Sequence, residues 1–291
     1  MTPADFATAA PVPVADLPVE GQPVSAQQEQ VQRQRRRHPS LWNYPATYTL
    51  IGINVAVFAI MVWYGHLWQH LNGANPIFAE FDGQTLVNFG ASDAALVLRG
   101  QWWRLITATF VHVTLLHIGL NMWCLWNLGV FGEPLLGRRG LICVYLLTGI
   151  AGNMFSLAWA VLSGTDSLVA GASGAVFGIA GILIVLLSNR GLSLPWEELK
   201  ALRRQVIFFA AINLAIGIGP QVLGVFSSST LGHIANSAHI GGFVCGLALG
   251  LPLFPRMMSG RASYRRRQTQ TFVVTALVLS LFGYAISALA K

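Results

Sequence analysis

The sequence predicts an all-α polytopic membrane protein, because it is rich in apolar residues and poor in charged ones. Hydrophobic residues make up 54% of the 291-residue chain and charged residues only 10%, whereas a soluble domain carries about 25% charged residues. Several nearly uncharged stretches of roughly 17–22 residues are long enough to cross ~30 Å of hydrocarbon as a helix. The seven predicted spans are residues 47–65, 113–132, 140–160, 172–188, 205–222, 234–254 and 271–290.

The chain divides into three regions. Residues 1–45 lack an apolar core segment, so no cleavable signal peptide is predicted, and their polar, Pro-rich and then basic composition predicts a disordered tail. Residues 46–255 form a six-helix membrane domain, and residues 256–291 add a basic linker and a seventh helix.

Two of the connections between spans have a distinctive composition. The aromatic segment 66–111 is predicted to lie partly in the membrane interface. The uncharged segment 223–233 is predicted to be mobile.

The positions of the basic residues predict an orientation. If the N-terminus is cytoplasmic, 15 of the 18 Lys and Arg residues lie on the inner side, and only Arg99, Arg104 and Lys291 lie outside. This asymmetry follows the positive-inside rule, so the C-terminus is expected to be external. Anionic lipid headgroups are a sufficient partner for the net charge of +7, and no nucleic acid is predicted. With no organelle-targeting segment, the expected compartment is a bacterial plasma membrane.

The polar residues of the predicted spans cluster in one layer. No acidic residue falls in the interior of a span, which argues against a carboxylate-lined ion path and against a third acidic member of a catalytic triad. Spans two, four and six all run inwards, so their first turns lie at similar depth. His112 and His117 are placed in the first turns of span two, and Asn121 one turn further along. Ser173 is placed in the first turn of span four, and His239 about one and a half turns into span six.

This layer has the groups that a serine hydrolase needs. A serine hydroxyl is a poor nucleophile without an adjacent base, and a neutral His239 can accept the proton of Ser173 and later protonate a leaving amine. Backbone N–H groups at the start of span four, the Asn121 amide and a His117 N–H are candidate oxyanion donors. Gly171 and Gly174 allow a substrate backbone to approach closely.

Several short motifs follow one another within about residues 46–255. They are Trp103-Arg104, His112 with His117 and Asn121, Glu133 with Gly137, Gly171 to Gly174 with Gly178, and Ala238-His239 with Gly242. In this order the motifs resemble those of the rhomboid family of intramembrane serine proteases. Each motif is weak alone, and the combination is specific.

The resemblance implies a Ser173–His239 dyad, with His117 and Asn121 in the oxyanion region. It also implies six core helices, here with a seventh, and cleavage of single-pass membrane proteins near the outer surface. Two positions depart from the family pattern. Phe177 stands where a Tyr often packs on the histidine, and Leu135 stands where an Arg often follows the Glu.

Each site residue also has a structural interpretation. Ser173 can be a small packing residue, and Gly174 and Gly242 belong to small-residue patterns that bring membrane helices together. His117 can be a hydrogen-bonded structural histidine, and a structural role is the favoured one for His112.

Other residues favour anchoring or packing. Trp103 and Arg104 are more typical of an interfacial anchor than of a direct catalytic part. The three cysteines lie within spans and are expected to pack as small apolar residues, and three histidines without a carboxylate or cysteine make a metal site improbable. No metal or cofactor is therefore predicted.

Three classes of function compete. The first is an intramembrane protease that acts on single-pass membrane proteins. The second is a non-catalytic rhomboid-like protein that binds membrane proteins, which the presence of both Ser173 and His239 disfavours. The third is a transporter, which the absence of carboxylates within spans disfavours. The physiological substrate and the oligomeric state stay open.

Overall fold

The computed structural model describes residues 43–64, 79–192, 194–222, 230–257 and 259–290. The chain separates into two units, Met1–Asn43 and Tyr44–Lys291, and every element below belongs to the second unit. The predicted disordered tail lies almost wholly outside the described residues, as does most of the predicted mobile segment 223–233.

The described fold is almost entirely helical. Its helices are α1 (Pro45–Tyr64), α2 (Gly83–Asn88), α3 (Ala94–Leu98), α4 (Arg104–Thr107), α5 (Leu115–Ser163), α6 (Ser173–Leu186), α7 (Trp196–Val222), α8 (Thr230–Leu253) and α9 (Arg261–Leu289). Short 3₁₀ turns follow α4 and α8, at Ala108–Phe110 and Phe254–Arg256. Two-residue strands β1 (Ser92–Asp93) and β2 (Leu168–Val169) pair antiparallel.

Several helices are long and apolar enough to cross a membrane. Among the described residues these are α1, α5, α9 and the Asn236–Leu253 part of α8. The predicted class, a helical protein with several membrane-capable helices, is confirmed. Helix α6 has 14 residues, which is about 21 Å of helix and shorter than the ~30 Å hydrocarbon core.

Predicted spans two and three form one helical element, α5, with a kink at Gly137. The backbone of Gly137 has φ 73 and ψ 165, a conformation that glycine adopts without a Cβ penalty. Beside the kink, the Gln268 side chain on α9 donates a hydrogen bond of 2.9 Å to the carbonyl oxygen of Leu136. The kink thus separates two helical halves, 115–136 and 138–163.

Glu133, in the first half of α5, caps the start of α1. Its carboxylate accepts hydrogen bonds from the backbone N–H groups of Ala46 and Thr47 at 3.0 and 2.9 Å, and from the Thr47 hydroxyl at 2.8 Å. The first N–H groups of a helix have no acceptor within it, and both residues are buried. Glu133 is therefore a structural contact between α5 and α1.

Helix α6 lies at the centre of the bundle. Eleven of its 14 residues are buried, and it packs mainly against α5 and α8. A Cβ atom added at Gly242 or Gly246 of α8 would collide with the carbonyl oxygens of Gly174 and Gly178 on α6. The two helices therefore touch backbone to backbone, as small residues permit in membrane bundles.

The described part of the predicted interfacial segment, residues 79–110, folds into short helices. Asp82 and Asp93 cap α2 and α3, accepting hydrogen bonds from the N–H groups of Thr85 and Leu96 at 2.9 Å each. Trp68 and Phe78, which contributed to the interfacial prediction, lie outside the described residues.

Candidate active site

Ser173 is the first residue of α6, and the loop before it is held in place from two sides. The Gly171 N–H donates to the Ala108 carbonyl at 2.9 Å, and the Ala172 N–H donates to Nε2 of His112 at 3.3 Å. Gly171 has a φ of 131°, which disfavours any residue with a Cβ. These contacts fix the direction in which the Ser173 side chain leaves the helix.

His239 of α8 lies beside this serine. Its Nε2 atom is 2.7 Å from Oγ of Ser173, within ordinary hydrogen-bond distance. The two residues are 66 positions apart in sequence, and the close backbone packing of α6 on α8 brings them together. The start of α8 at Thr230 puts His239 about 2.5 turns into its helix rather than the predicted one and a half.

The His239 ring is held by stacking. The ring of Phe177, one turn after Ser173, lies 4.5 Å from it between centroids, with an angle of 15° between the planes. Nδ1 of His239 is buried and has no hydrogen-bond partner in the described part of the chain. The imidazole is thus held by stacking on its face, and not by the carboxylate hydrogen bond to Nδ1 that orients the histidine of a three-membered hydrolase triad.

His117 and Asn121 lie on the same face of α5, and the His117 ring lies against this loop. A Cβ added at Gly171 would lie 2.9 Å from Nε2 of His117 and 3.8 Å from Oγ of Ser173. The imidazole of His117 and the hydroxyl of Ser173 therefore lie close to the same point next to Gly171. The Asn121 amide donates to the His117 carbonyl at 3.0 Å, which engages one of its two N–H bonds.

His112 lies before α5 and not in its first turn, which corrects the sequence-based placement. Residues 111–114 precede the helix, and Thr114 caps it by accepting a hydrogen bond from the His117 N–H at 2.9 Å. His112 is fully buried, and its Nδ1 lies 3.4 Å from the Phe110 carbonyl. An Nδ1–H tautomer satisfies both ring nitrogens, since Nε2 accepts from Ala172.

Trp103 and Arg104 contact the preceding loop rather than the Ser173–His239 pair. Arg104 is buried, and its guanidinium donates to the carbonyls of Val87 at 2.6 Å and Ala91 at 3.0 Å. It also lies 4.5 Å from the centre of the Trp103 ring. Arg104 therefore holds the backbone of residues 87–91 in place. This is a structural role, distinct from both an interfacial anchor and direct catalysis.

Two features near the site were missed in the sequence. Gly152 of α5 faces the Ala238 carbonyl, which a Cβ would approach to 2.6 Å, so α5 packs closely beside His239. The available signal was the spacing of small residues four apart, at Thr148, Gly152 and Ser156, within an apolar helix. Tyr145 is fully buried and donates to the Thr109 carbonyl at 3.0 Å, and no local sequence pattern pairs these two residues.

The described residues contain no group of three or more His, Cys, Asp or Glu side chains placed to hold a metal ion. Among these residues the carboxylate of Glu133 has no ion pair, and its hydrogen-bond donors are those at the start of α1.

Residues 99–256 match the family model of the Rhomboid domain. The chain is 32% identical over 245 residues to the rhomboid protease GluP of Bacillus subtilis, a match that covers 82% of this chain and 40% of GluP. It is 30% identical over 251 residues to the mitochondrial RHOMBOID-like protein 6 of Arabidopsis thaliana, covering 79% of this chain and 76% of that protein.

A second bacterial relative is the rhomboid protease AarA of Providencia stuartii. It is 28% identical over 223 residues, and the match covers 73% of each chain. Relatives that are themselves proteases support a protease function. Together with the apolar helices, the family match indicates a multi-pass membrane protein.

Proposed function

We propose that this chain, which belongs to the rhomboid family, is an intramembrane serine endopeptidase that cleaves single-pass membrane proteins near the outer membrane surface. The observation that carries the proposal is the 2.7 Å contact between Nε2 of His239 and Oγ of Ser173. It joins a nucleophile to a base at the start of a buried helix.

The reaction follows from this pair. Oγ of Ser173 attacks the carbonyl carbon of the scissile peptide bond while its proton passes to Nε2 of His239. The tetrahedral intermediate collapses, the C–N bond breaks, and His239 gives the proton to the leaving amine. Water, deprotonated by the same imidazole, then attacks the acyl ester, and collapse of the second intermediate frees the new carboxylate and restores the Ser173 hydroxyl.

Three groups are proposed to stabilise the oxyanion. The N–H of Ser173 is at the first position of α6, where helix geometry provides no acceptor and the helix dipole favours negative charge. Nε2 of His117 and the second N–H of Asn121 complete the set. One such donor can contribute about 2.7–4 kcal/mol to transition-state stabilisation.

The proposed membrane arrangement has six core helices and a seventh, α9. The two halves of α5 are counted as spans two and three, and the N-terminus is cytoplasmic by the positive-inside rule. Helix α6 is too short to cross the bilayer. If its C-terminal end lies at the inner surface, its first residue, Ser173, lies below the outer surface. Ser173 then acts inside the membrane, in a bacterial plasma membrane by our proposal.

Substrate access is proposed to occur between α5 and α7. Trp123 of α5 and Phe209 of α7 are in ring contact, with centroids 6.5 Å apart. Both helices also have exposed apolar side chains, Leu120 on α5 and Phe208 on α7. A peptide segment that enters here passes Leu120, which lies three residues beyond His117 and is therefore its neighbour on the surface of α5.

One reconstitution experiment tests the proposal and separates it from the binding-protein alternative. The purified full chain is placed in liposomes with a single-pass reporter that has alanine and helix-breaking residues near its outer end. We expect cleavage by the wild type and loss of cleavage in both Ser173→Ala and His239→Ala.

The controls make the outcome decisive. Gly52→Ala changes a helical glycine whose added Cβ meets no atom within 4 Å, and it should cleave like the wild type. A reporter that binds but is never cut by the wild type would favour the non-catalytic alternative. Cleavage that persists in Ser173→Ala would show that another residue is the nucleophile.

A further inference from the structure

Helix α9 has its buried residues near its two ends, and a cavity lies beside its middle, where the half-buried Leu279 packs against the core. Its four buried residues are Gln268 and Thr271 near the start and Gly283 and Ile286 near the end. No residue of α9 between Thr271 and Gly283 is buried. A helix that docks along its whole length would instead bury one residue in every turn.

The cavity lies against the second half of α5. It has a volume of about 490 Å³ and is walled by Leu147, Ile150 and Met154 on one side and by Ala276 and Leu279 on the other. This volume falls within the roughly 300–1,000 Å³ of ligand pockets. Left unfilled, the apolar wall would lose its dispersion contacts outright.

The polarity of the wall changes along the helix. The deeper part is aliphatic except for Ser280, whose hydroxyl donates to the Ala276 carbonyl of its own helix at 2.9 Å. Trp102, Tyr284 and Ser287 line the far end. Trp and Tyr are the residues that favour the boundary between headgroups and hydrocarbon. The cavity therefore has an apolar interior and an amphipathic mouth.

The length of the cavity matches one leaflet. Its lining on α9 runs from Ala276 to Ser287, which is about 17 Å of helix, and half of a ~30 Å hydrocarbon core is about 15 Å. The basic residues of α9, Arg261 and Arg265 to Arg267, are at the opposite end of the helix. The mouth thus faces the membrane surface that lies away from these arginines.

We propose that this cavity binds one acyl chain of a phospholipid from that leaflet, with its glycerol end beside Trp102, Tyr284 and Ser287. A transmembrane helix does not fit, because it is ~30 Å long and 10–12 Å wide. Contacts of Gly283 with Met154 and Trp102, and of Gln268 with Leu136, also keep α9 attached at both ends.

The proposal is tested by photolabelling of the full chain in vesicles of phosphatidylglycerol that contain a trace of the same lipid with a photoactivatable acyl chain. The label is located to single residues, and we expect it on the lining residues within 147–154 and 276–287 and not on the outward-facing Leu277 and Leu281. In Ala276→Phe, which puts a ring into the cavity, we expect about tenfold less label at these lining residues. Ala285→Phe is the matched control, since Ala285 is exposed and does not line the cavity, and it should label like the wild type.

Labelling of the wild type alone already decides the matter if the variant fails to fold. Label spread evenly over α9, including the exposed residues Leu277 and Leu281, would mean that only bulk lipid touches this face and would overturn the proposal. Ser280→Leu, a smaller filling change, serves as the second variant. Loss of self-association rather than of label in both filling variants would assign the cavity to a second copy of the chain and would also overturn it.

Discussion

The ring of Phe177 lies almost parallel to the imidazole of His239, 4.5 Å away between centroids. One turn earlier on the same helix, Ser173 meets Nε2 of that imidazole at 2.7 Å. Helix α6 thus carries both the proposed nucleophile and the surface that orients its base. The orientation of His239 relies on packing, because Nδ1 has no partner among the described residues.

Replacing Phe177 should therefore lower activity without removing either catalytic group. For Phe177→Ala we expect kcat on the reporter to fall by about 2- to 10-fold, since an aromatic pair contributes ~0.5–1.5 kcal/mol beyond burial. Phe177→Tyr keeps the stacking surface and should stay near the wild type. Wild-type kcat in Phe177→Ala would show that stacking does not position His239.

Gly171→Ala, a substitution in the loop before Ser173, should abolish activity. The new Cβ would lie 2.8 Å from Cε1 of His117, and the φ of 131° is unfavourable for alanine. The readout is the rate of Ser173 labelling by a fluorophosphonate.

The double variant Gly171→Ala/His117→Ala separates the two causes. It removes the steric contact and keeps the backbone strain, so partial recovery of labelling is expected. If the double variant is labelled as fast as His117→Ala alone, the backbone strain at residue 171 has no effect on labelling. Labelling of Gly171→Ala at the wild-type rate would contradict the geometry of the loop.

Gly246→Ala should destabilise the bundle at the contact between α6 and α8. A Cβ there collides with the Gly178 carbonyl oxygen, and overpacking of this kind costs about 1–3 kcal/mol. The measurement is the free energy of unfolding in mixed micelles. Gly52→Ala, with open space around the new methyl group, should be neutral or stabilise by up to ~1 kcal/mol. Equal effects of the two substitutions would contradict close backbone packing.

The sequence predicts the helical class and the depth of the polar layer because both depend on local composition. Runs of apolar residues set the spans, and the charge asymmetry sets the expected orientation. The same information brings Ser173 and His239 to one depth, which is the coarse part of their geometry.

The finer geometry depends on contacts between distant residues. The sequence predicts spans two and three, but not the hydrogen bond from Gln268 to the Leu136 carbonyl beside the kink in α5. The cap of α1 by Glu133 likewise joins residues that are 86 or 87 positions apart in the chain. His112 falls outside α5 because Thr114 caps the helix and sets its start. The spacing of apolar residues does not indicate which distant residues contact each other. The sequence therefore identifies the residues of the site but not the contacts that hold them.

Glu133→Gln should destabilise the start of α1. The glutamine amide keeps one acceptor oxygen and presents N–H groups to the donors of Ala46 and Thr47, leaving at least one buried donor unpaired. That loss is worth about 1–3 kcal/mol in unfolding free energy. Thr47→Val removes only the hydroxyl bond and should cost less. Glu197→Gln, at an exposed surface pair with Lys200, should change stability little.

The contact between Trp123 and Phe209 offers a test of substrate access. In a background with Cys124, Cys143 and Cys245 replaced, a short bifunctional reagent across Trp123→Cys and Phe209→Cys should tie α5 to α7. We expect cleavage of the single-pass reporter to fall by more than about tenfold, because a peptide segment cannot pass between the joined helices. A small fluorophosphonate should still label Ser173, since it does not need this opening.

Two controls complete the access experiment. Each single-cysteine variant treated with the same reagent should keep reporter cleavage, because a reagent attached at one end does not join the helices. A cleavable reagent should restore cleavage when it is broken. Reporter cleavage that survives efficient cross-linking would place the route of access elsewhere, while equal loss of labelling and cleavage would point to distortion of the Ser173–His239 pair.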